Sequence, residues 1–563
     1  MPVYFNDSID DILLYDRQAS FIGGQVSNFR ENLLNDSQAE LIKDMSPEIS
    51  GVLKTRRGFH RFANLLGSTS SSTNVQAIHF FDSDSRERVI AAVNSSLYEI
   101  ESDGTVTSIS VAASKLSSAS NPAYMCQVAD KMYWSSDTTT TKIFELKYSG
   151  GAWVKTDSTD TTYPANSKYL IANSGRVLAY DPSGNQIFVS TILPDLAATS
   201  TLFTLGATTI NPFKVGTGAE TVTGMYSWVG FNVVVFCENS IYLVDTNPLT
   251  AAAAAAGNAT STFKVRQVSN RSGAVSHRAV AQVGEDLIFL ASDGVRSLKR
   301  TMAEEMVAEQ SGVISYPIQN LIDSINWSAA AQKAAATFWN GLLLISVPIL
   351  SSTENNCVLV YSADTNSWIG YWQGNPDYNI KPVDFCIAAF GGYAEKLLTL
   401  DKVGNPMEFR DYVSPQNAVA TDYQDNFDGS NYRDTAWKAV TRGMTFGDQL
   451  SPKSPEFCEW EFDRSNAKVD IIPILDGDDA DRLVTDLETG VGAVTLTSSG
   501  PVLPFTLSGT KVRRFRYSLT QYDPFRELQF RIEQSTGDTG SSKYVSLRSI
   551  HSGAFMDTME ADQ

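Results

Sequence analysis

The chain is short of the residues on which most protein chemistry depends. Its four histidines, His60, His79, His277 and His551, stand alone, with no His-x-His or His-Glu-x-x-His spacing. Its five cysteines, Cys126, Cys237, Cys357, Cys386 and Cys458, are odd in number, far apart and without a Cys-x-x-Cys pair. That argues against a disulfide framework or a zinc site, and suits synthesis in a reducing cytoplasm. No apolar run is long enough to span a bilayer, since the longest, residues 341–350, contains Pro348. The stretch Met1–Leu14 carries Asp7, Asp10 and Asp11 but no Lys or Arg, so it does not read as a secretory signal. Gly-x-Ser-x-Gly, P-loop and Gly-x-Gly-x-x-Gly motifs are all missing. The sequence therefore assigns no catalytic, cofactor-binding or metal-binding residue, and the chain is not read as an enzyme.

Positive charge is scarce as well. Lys and Arg number 44 against 63 Asp and Glu, a formal charge of −19. Such a balance excludes a protein held to nucleic acid by many phosphate contacts. Apolar residues at 42% and charged residues at 19% mark a globular chain, and 563 residues suggest two or three domains.

What the sequence does have is a repeat. Between residues 75 and 412 an apolar run followed by a polar turn and a second run recurs seven times. The runs begin at Val89, Met132, Val177, Val233, Leu287, Leu342 and Leu397, 43 to 56 residues apart. A strand-filled period of that size predicts the blades of a β-propeller. The first copy reads as four strands, Val75–Phe81, Arg88–Val93, Ser96–Glu101 and Thr105–Ser110, parted by Asp, Ser, Asn and Gly. Runs such as Val233–Phe236 and Leu342–Ile345 are apolar throughout, as strands covered on both faces must be. Two stacked antiparallel sandwiches are the competing arrangement, and the steady period favours the ring. Insertions fall at Ala251–Ala256, read as a loop, and at Ser315–Ile325, where apolar residues at helical spacing predict a short helix.

The expected architecture is all-β: a propeller of six to seven blades plus a β-sandwich-like platform. Its parts are residues 1–66 as an attachment segment, 67–412 as the propeller, 413–435 as a linker or crossing loop, and 436–563 as the platform. In the last part Phe515, Tyr517 and Leu519 alternate with Arg514, Arg516 and Ser518, giving strands with one apolar and one wet face.

The turns lack the marks of catalytic or reader propellers. Glu101–Gly104 and Ser292–Gly294 lack the Trp of a sialidase Asp-box, and no carboxylate pair stands out among the 63 acids. Val360–Trp368 looks like one kelch turn without the Gly-Gly doublet, and WD-repeat signatures are absent. The acidic stretches Asp476–Asp481 and Asp425–Gly429 depart from the EF-hand order and read as solvated turns. The cluster Lys511, Arg513, Arg514 and Arg516, interleaved with Phe515 and Tyr517, reads as a subunit-interface strand.

The amino-terminal region carries a family resemblance. Ser20-Phe21-Ile22-Gly23-Gly24-Gln25-Val26-Ser27 is followed, after a polar stretch, by Gly51-Val52-Leu53-Lys54-Thr55-Arg56-Arg57-Gly58-Phe59. This resembles the opening of the tail nozzle proteins (tail tubular protein B) of short-tailed bacteriophages and of related head-completion, DNA-stabilising proteins. Phe530–Glu533 and Tyr544–Ile550 look like the closing strands of the same family's platform. The resemblance implies a virion tail protein, made in the host cytoplasm and forming a hexamer. It implies a tail adaptor ring and tail fibre or spike proteins as partners, and double-stranded DNA passing along the axis without specific binding. Gly23, Gly24, Arg56, Arg57, Gly58, Arg514 and Arg516 are then the interface candidates. The alternative is a carbohydrate-binding propeller module or phage adhesin, with Trp134, Trp153, Trp228, Trp339, Trp368 and Trp372 as stacking faces.

Overall fold

A computed structural model describes residues 13–556, apart from 48–49, 66–73, 85, 110–121, 137–142, 158–166, 191–203, 206–207, 210–212, 217–219, 247–262, 308–311, 376–377, 392–393, 403, 411–419, 463–467, 480–482, 487–490, 494–512 and 535–544. The runs expected to open each repeat are in fact the second strands of seven antiparallel sheets. These are Arg86–Val93, Lys131–Ser136, Arg176–Asp181, Asn232–Cys237, Asp286–Ala291, Leu342–Val347 and Lys396–Asp401. A second strand has hydrogen-bonded neighbours on both sides and packed sheets above and below. That is why Val89 to Val93 and Val233 to Phe236 are buried at successive positions rather than alternately.

The first strands of the sheets, Val75–Ser83, Ala123–Val128, Leu170–Asn173, Val222–Trp228, Val280–Val283, Ala335–Trp339 and Pro382–Ala388, stand around one axis. Most successive pairs touch directly, and the first strand of the seventh sheet packs on that of the first, so the ring closes. The fold is a seven-bladed propeller. Apolar clusters fill the wedges between blades; one joins Ile78, Val89 and Ile100 of the first blade to Cys386, Leu398 and Leu400 of the seventh.

The seventh blade takes its outermost strand from the other end of the chain. Phe59–Arg61 pairs antiparallel with Pro406–Phe409, setting Phe59 opposite Phe409 and Arg61 opposite Met407. The attachment segment expected at 1–66 thus also closes the ring, and a strand of only three residues offers no local period to reveal this.

The rest of that segment joins the carboxy-terminal region in a two-sheet sandwich. One sheet runs Met45–Pro47, Leu53–Thr55, Ser546–Met556, Lys453–Phe462, Arg513–Ser518, with Leu13–Gln18 also on Ser546–Met556. The other contains Gln38–Lys43, Lys438–Thr441, Leu528–Gln534 and Lys468–Leu475. It continues into the sixth blade through the parallel bridge of Lys43 to Tyr371. Between the sheets lies a core that includes Phe21, Ile42, Trp437, Trp460, Phe462, Phe530 and Ile550.

Of the helical elements, one was expected and another was not. Ser315–Ile325 forms a 3-10 turn, Tyr316–Ile318, and a short helix, Gln319–Asp323, much as predicted. Leu298–Val307, however, is a ten-residue helix without an expected counterpart. Ala251–Ala256 lies outside the described residues, as does Lys511. No helix among the described residues is long and apolar enough to cross a membrane.

Candidate functional site: the axial cavity and the charged junction

All seven first strands contribute to an axial cavity of about 730 Å³. Its lining includes His79, Tyr124, Tyr226, Gln282, Thr337 and Asp384, one residue from six of the blades, and Ile171 from the remaining one. At one end the segment His277–Arg278, leading into the fifth blade, reaches across the bore. Arg278 Nη2 donates to the Gln76 carbonyl at 2.6 Å and to the Ala123 carbonyl at 2.5 Å, and lies 3.6 Å from the Asp384 carboxylate. Its guanidinium stands 5.3 Å from the Tyr124 ring centre. The Arg278 carbonyl accepts from the Ala336 N–H. One residue therefore ties the fifth blade to the first, second, sixth and seventh.

His277 anchors the same segment. Its Nδ1 accepts the Met225 N–H at 3.2 Å, and its ring stacks on Tyr169 at 4.7 Å. Burial, with Arg278 and Lys168 adding like charge, pulls its imidazole down to about 3. Burial alone takes His79 down to about 4. Both rings are neutral near pH 7, and the Asp384 carboxyl is pushed above its usual range by burial, against the pull of Arg278. Replacing Arg278 with Met removes two charge-assisted hydrogen bonds and leaves Asp384 without its cation. A loss of about 2–4 kcal/mol in unfolding free energy is expected, with Arg278→Met/Asp384→Leu recovering part of it. A denaturant titration of the three proteins checks this.

A second charged centre lies where the sandwich meets the propeller. Arg56, expected at a subunit interface, is buried within its own chain. Its Nε donates to Asp44 at 2.8 Å, while Nη1 and Nη2 grip the two Asp425 oxygens at 2.9 and 2.6 Å. Asp44 also accepts the Gln373 and Gly374 N–H groups, and Asp425 accepts that of Phe59. The guanidinium lies between the rings of Phe59 and Trp372, 5.6 and 5.9 Å from their centres. Burial works against the Arg56 charge, but Asp425 and Asp44 outweigh it and hold the guanidinium above its ordinary range. For Asp44 burial prevails over Arg56 and raises the carboxyl.

This junction corrects two expectations. The described part of the linker or crossing loop expected at 413–435 packs into the fold, because Asp422, Gln424, Asp425 and Asn426 are buried and bond to the closing strand and to Gly58 before it. The glycines of the amino-terminal motifs are internal too. A Cβ on Gly58 would lie 1.6 Å from the Gln424 carbonyl, and one on Gly24, at φ +70°, 2.1 Å from that of Trp368. Gly23 is hemmed in by Ser37 and Gln38. Gly58 and Gly24 are glycine where a second backbone of the same chain leaves no room for a side chain. Arg57 stacks on Tyr423 at 4.2 Å, within the chain. Of the seven interface candidates only Arg514 and Arg516 stand in solvent, on the outward face of the sandwich.

Four of the tryptophans offered for sugar stacking, Trp134, Trp339, Trp368 and Trp372, are buried, and the Trp153 Nε1 is bonded to Glu99. The acidic turns have internal work. Asp476–Gly477 is a two-residue hairpin turn with positive φ at both positions, and Asp428 accepts the N–H groups of Ser430 and Asn431. The blades share one further repeat signal. Tyr180 donates to Asn185 and Tyr361 to Asn366, each five residues on and each Asn at positive φ. The kelch-like turn at 360–368 therefore has a counterpart in the third blade.

No family model and no curated protein matches this chain. Solved structures similar to it include the WD40 β-propeller domain of Doa1, at 10% identity over 64% of this chain and 99% of that one, with a TM-score of 0.37. The N-terminal domain of Nup159 is similar at 10% identity, covering 66% and 98%, with a TM-score of 0.36. YCF48 bound to D1 peptide is similar at 9% identity, covering 62% and 97%, with a TM-score of 0.35.

Proposed function

We propose that this chain is a structural virion protein, a subunit of the nozzle or gate ring through which a short-tailed phage retains and ejects its double-stranded DNA. The observation that carries the reading is where the resembling stretches lie. Residues 20–27 and 51–59, and the strands around 530–533 and 545–550, are distant in sequence but share one sandwich and its junction with the propeller. A mount built from both chain ends, bearing a ring of blades with plain turns, suits a scaffold.

In this reading the subunits form a hexamer between an adaptor ring and the tail fibres or spikes. The DNA path is the axis of the oligomer, because Arg278 reaches across the bore of each propeller to its first and second blades. The charge of −19 supports a path without strong phosphate-binding sites, along which DNA slides. The test is immunogold labelling of virions together with a map of the assembled ring. Label at the tail and an acidic lumen support the proposal; a neutral or basic lumen at its narrowest point removes the sliding argument. The carbohydrate-binding alternative is disfavoured by the burial of four of its six tryptophans, and a blank glycan array is expected.

A further inference from the structure

One face of the sandwich carries cations and aromatics in a chain otherwise rich in acid. On the solvent side of the sheet formed by Leu13–Gln18, Ser546–Met556, Lys453–Phe462 and Arg513–Ser518, the register sets Tyr15 beside Gly553 and Gly553 beside Phe457. A Cβ on Gly553 would lie 2.4 Å from the Phe457 ring, so the glycine lets that ring lie flat over its strand. Arg516 then sits over Phe457 at 3.6 Å, and Tyr15 meets the same ring edge-on at 6.0 Å. Tyr15 is 68% exposed. Next to this ladder Arg514 and Arg548 both reach Glu461, at 3.4 and 3.5 Å, two exposed cations sharing one carboxylate. Exposed Tyr and Arg over a rigid aromatic base is the composition of a binding hot spot.

The opposite sign gathers beside the other sheet. A cleft of about 400 Å³ is lined by Glu31, Asp476 and Glu527, with Arg526 the one cation. Glu40 stands close by, and burial together with mutual repulsion among these acids raises Glu527. Nucleic acid is the wrong partner for the ladder of so acidic a protein, whereas a copy of the same chain brings the complementary surface.

We propose that the Tyr15–Phe457–Arg516 ladder, with Arg514 and Arg548, docks into the Glu31–Asp476–Glu527 cleft of a second copy of this chain. The two surfaces differ and belong to different sheets, so the contact is head-to-tail. A two-fold contact of ladder on ladder would set Arg against Arg. A repeated head-to-tail contact generates a closed ring when its rotation permits. This rests on the oligomeric ring proposed above and names the surfaces that build it.

The experiment is mass photometry of the full-length chain with charge-reversal variants. Arg514→Glu/Arg516→Glu and, separately, Glu31→Lys/Glu527→Lys should each weaken association by about a hundredfold or more, with melting temperatures unchanged. Combining all four changes restores opposite signs and should recover the oligomer. An oligomer that persists in both double variants overturns the assigned surfaces and leaves the ring standing. A wild-type chain that stays monomeric at all concentrations overturns the ring and the contact together.

Discussion

Arg56→Ala is expected to cost about 3–5 kcal/mol, the largest effect of any single substitution considered, although Arg56 touches neither the bore nor solvent. The reason is asymmetric. The intact centre satisfies a guanidinium with two carboxylates and a backbone carbonyl, and so offsets the desolvation of all three charged groups. Removing the cation leaves Asp44 and Asp425 facing one another in a site closed to water. Arg56→Lys keeps the charge but cannot grip both oxygens of Asp425 while reaching Asp44, so it should lose more than half as much. Neutralising the whole group, as Asp44→Asn/Arg56→Met/Asp425→Asn, should recover more than half of the alanine loss, since no uncompensated charge then remains. Urea denaturation followed by tryptophan fluorescence measures this, because Trp372 adjoins the site. Arg56→Ala within 1 kcal/mol of the parent would show that the junction does not hold the sandwich to the ring.

Acid is expected to loosen the propeller through its two buried histidines. The folded protein holds His79 near 4 and His277 near 3, against about 6.5 when unfolded. Between those values the unfolded chain binds more protons than the folded one, so stability falls as pH falls. The contribution is fully present above pH 6.5 and declines through the window from 6.5 to about 3–4. At pH 5 each ring is 1.5 pH units below its unfolded value and costs about 2 kcal/mol, so together they remove about 4 kcal/mol. Carboxyls raised by burial, such as Asp44 and Asp384, act in the opposite sense. The decisive quantity is therefore the difference between parent and variant. His277→Gln should be less stable at pH 8, having lost its stacking on Tyr169, yet should lose about 2 kcal/mol less between pH 8 and pH 5. Parallel pH profiles for parent and variant would contradict the burial of this ring.

The ring of blades was legible in the sequence because the second strand of each blade is buried on both faces and reads as an uninterrupted apolar run. Asn232–Cys237 and Asp286–Ala291 are buried at every position after the first. The first strands were harder, since one edge faces the bore and their apolar residues are broken by His79, Gln127 and Gln282. What escaped the sequence was what depends on distance. Nothing local to Phe59–Arg61 says that it completes a blade whose partner strand begins at Pro406. Nothing local to Asp425 says that it is half of an ion pair with a residue 369 positions earlier. The same limit made Arg56 and Gly58 look like contact residues. Their motif is distinctive because the Gln424 backbone and the Asp44 and Asp425 carboxylates crowd them inside one chain. Arg514 and Arg516 were legible because an alternating strand must expose one of its faces. Arg278 gave no sign at all, since its role exists only once seven blades surround it.

The oligomeric state is the point on which the functional reading turns, and direct imaging of the purified full-length protein, alone and with virions, tests it best. Sixfold rings, with antibody label at the tail of the particle, are the predicted result. Isolated propellers that do not associate at any concentration, and leave virion tails unlabelled, would contradict it.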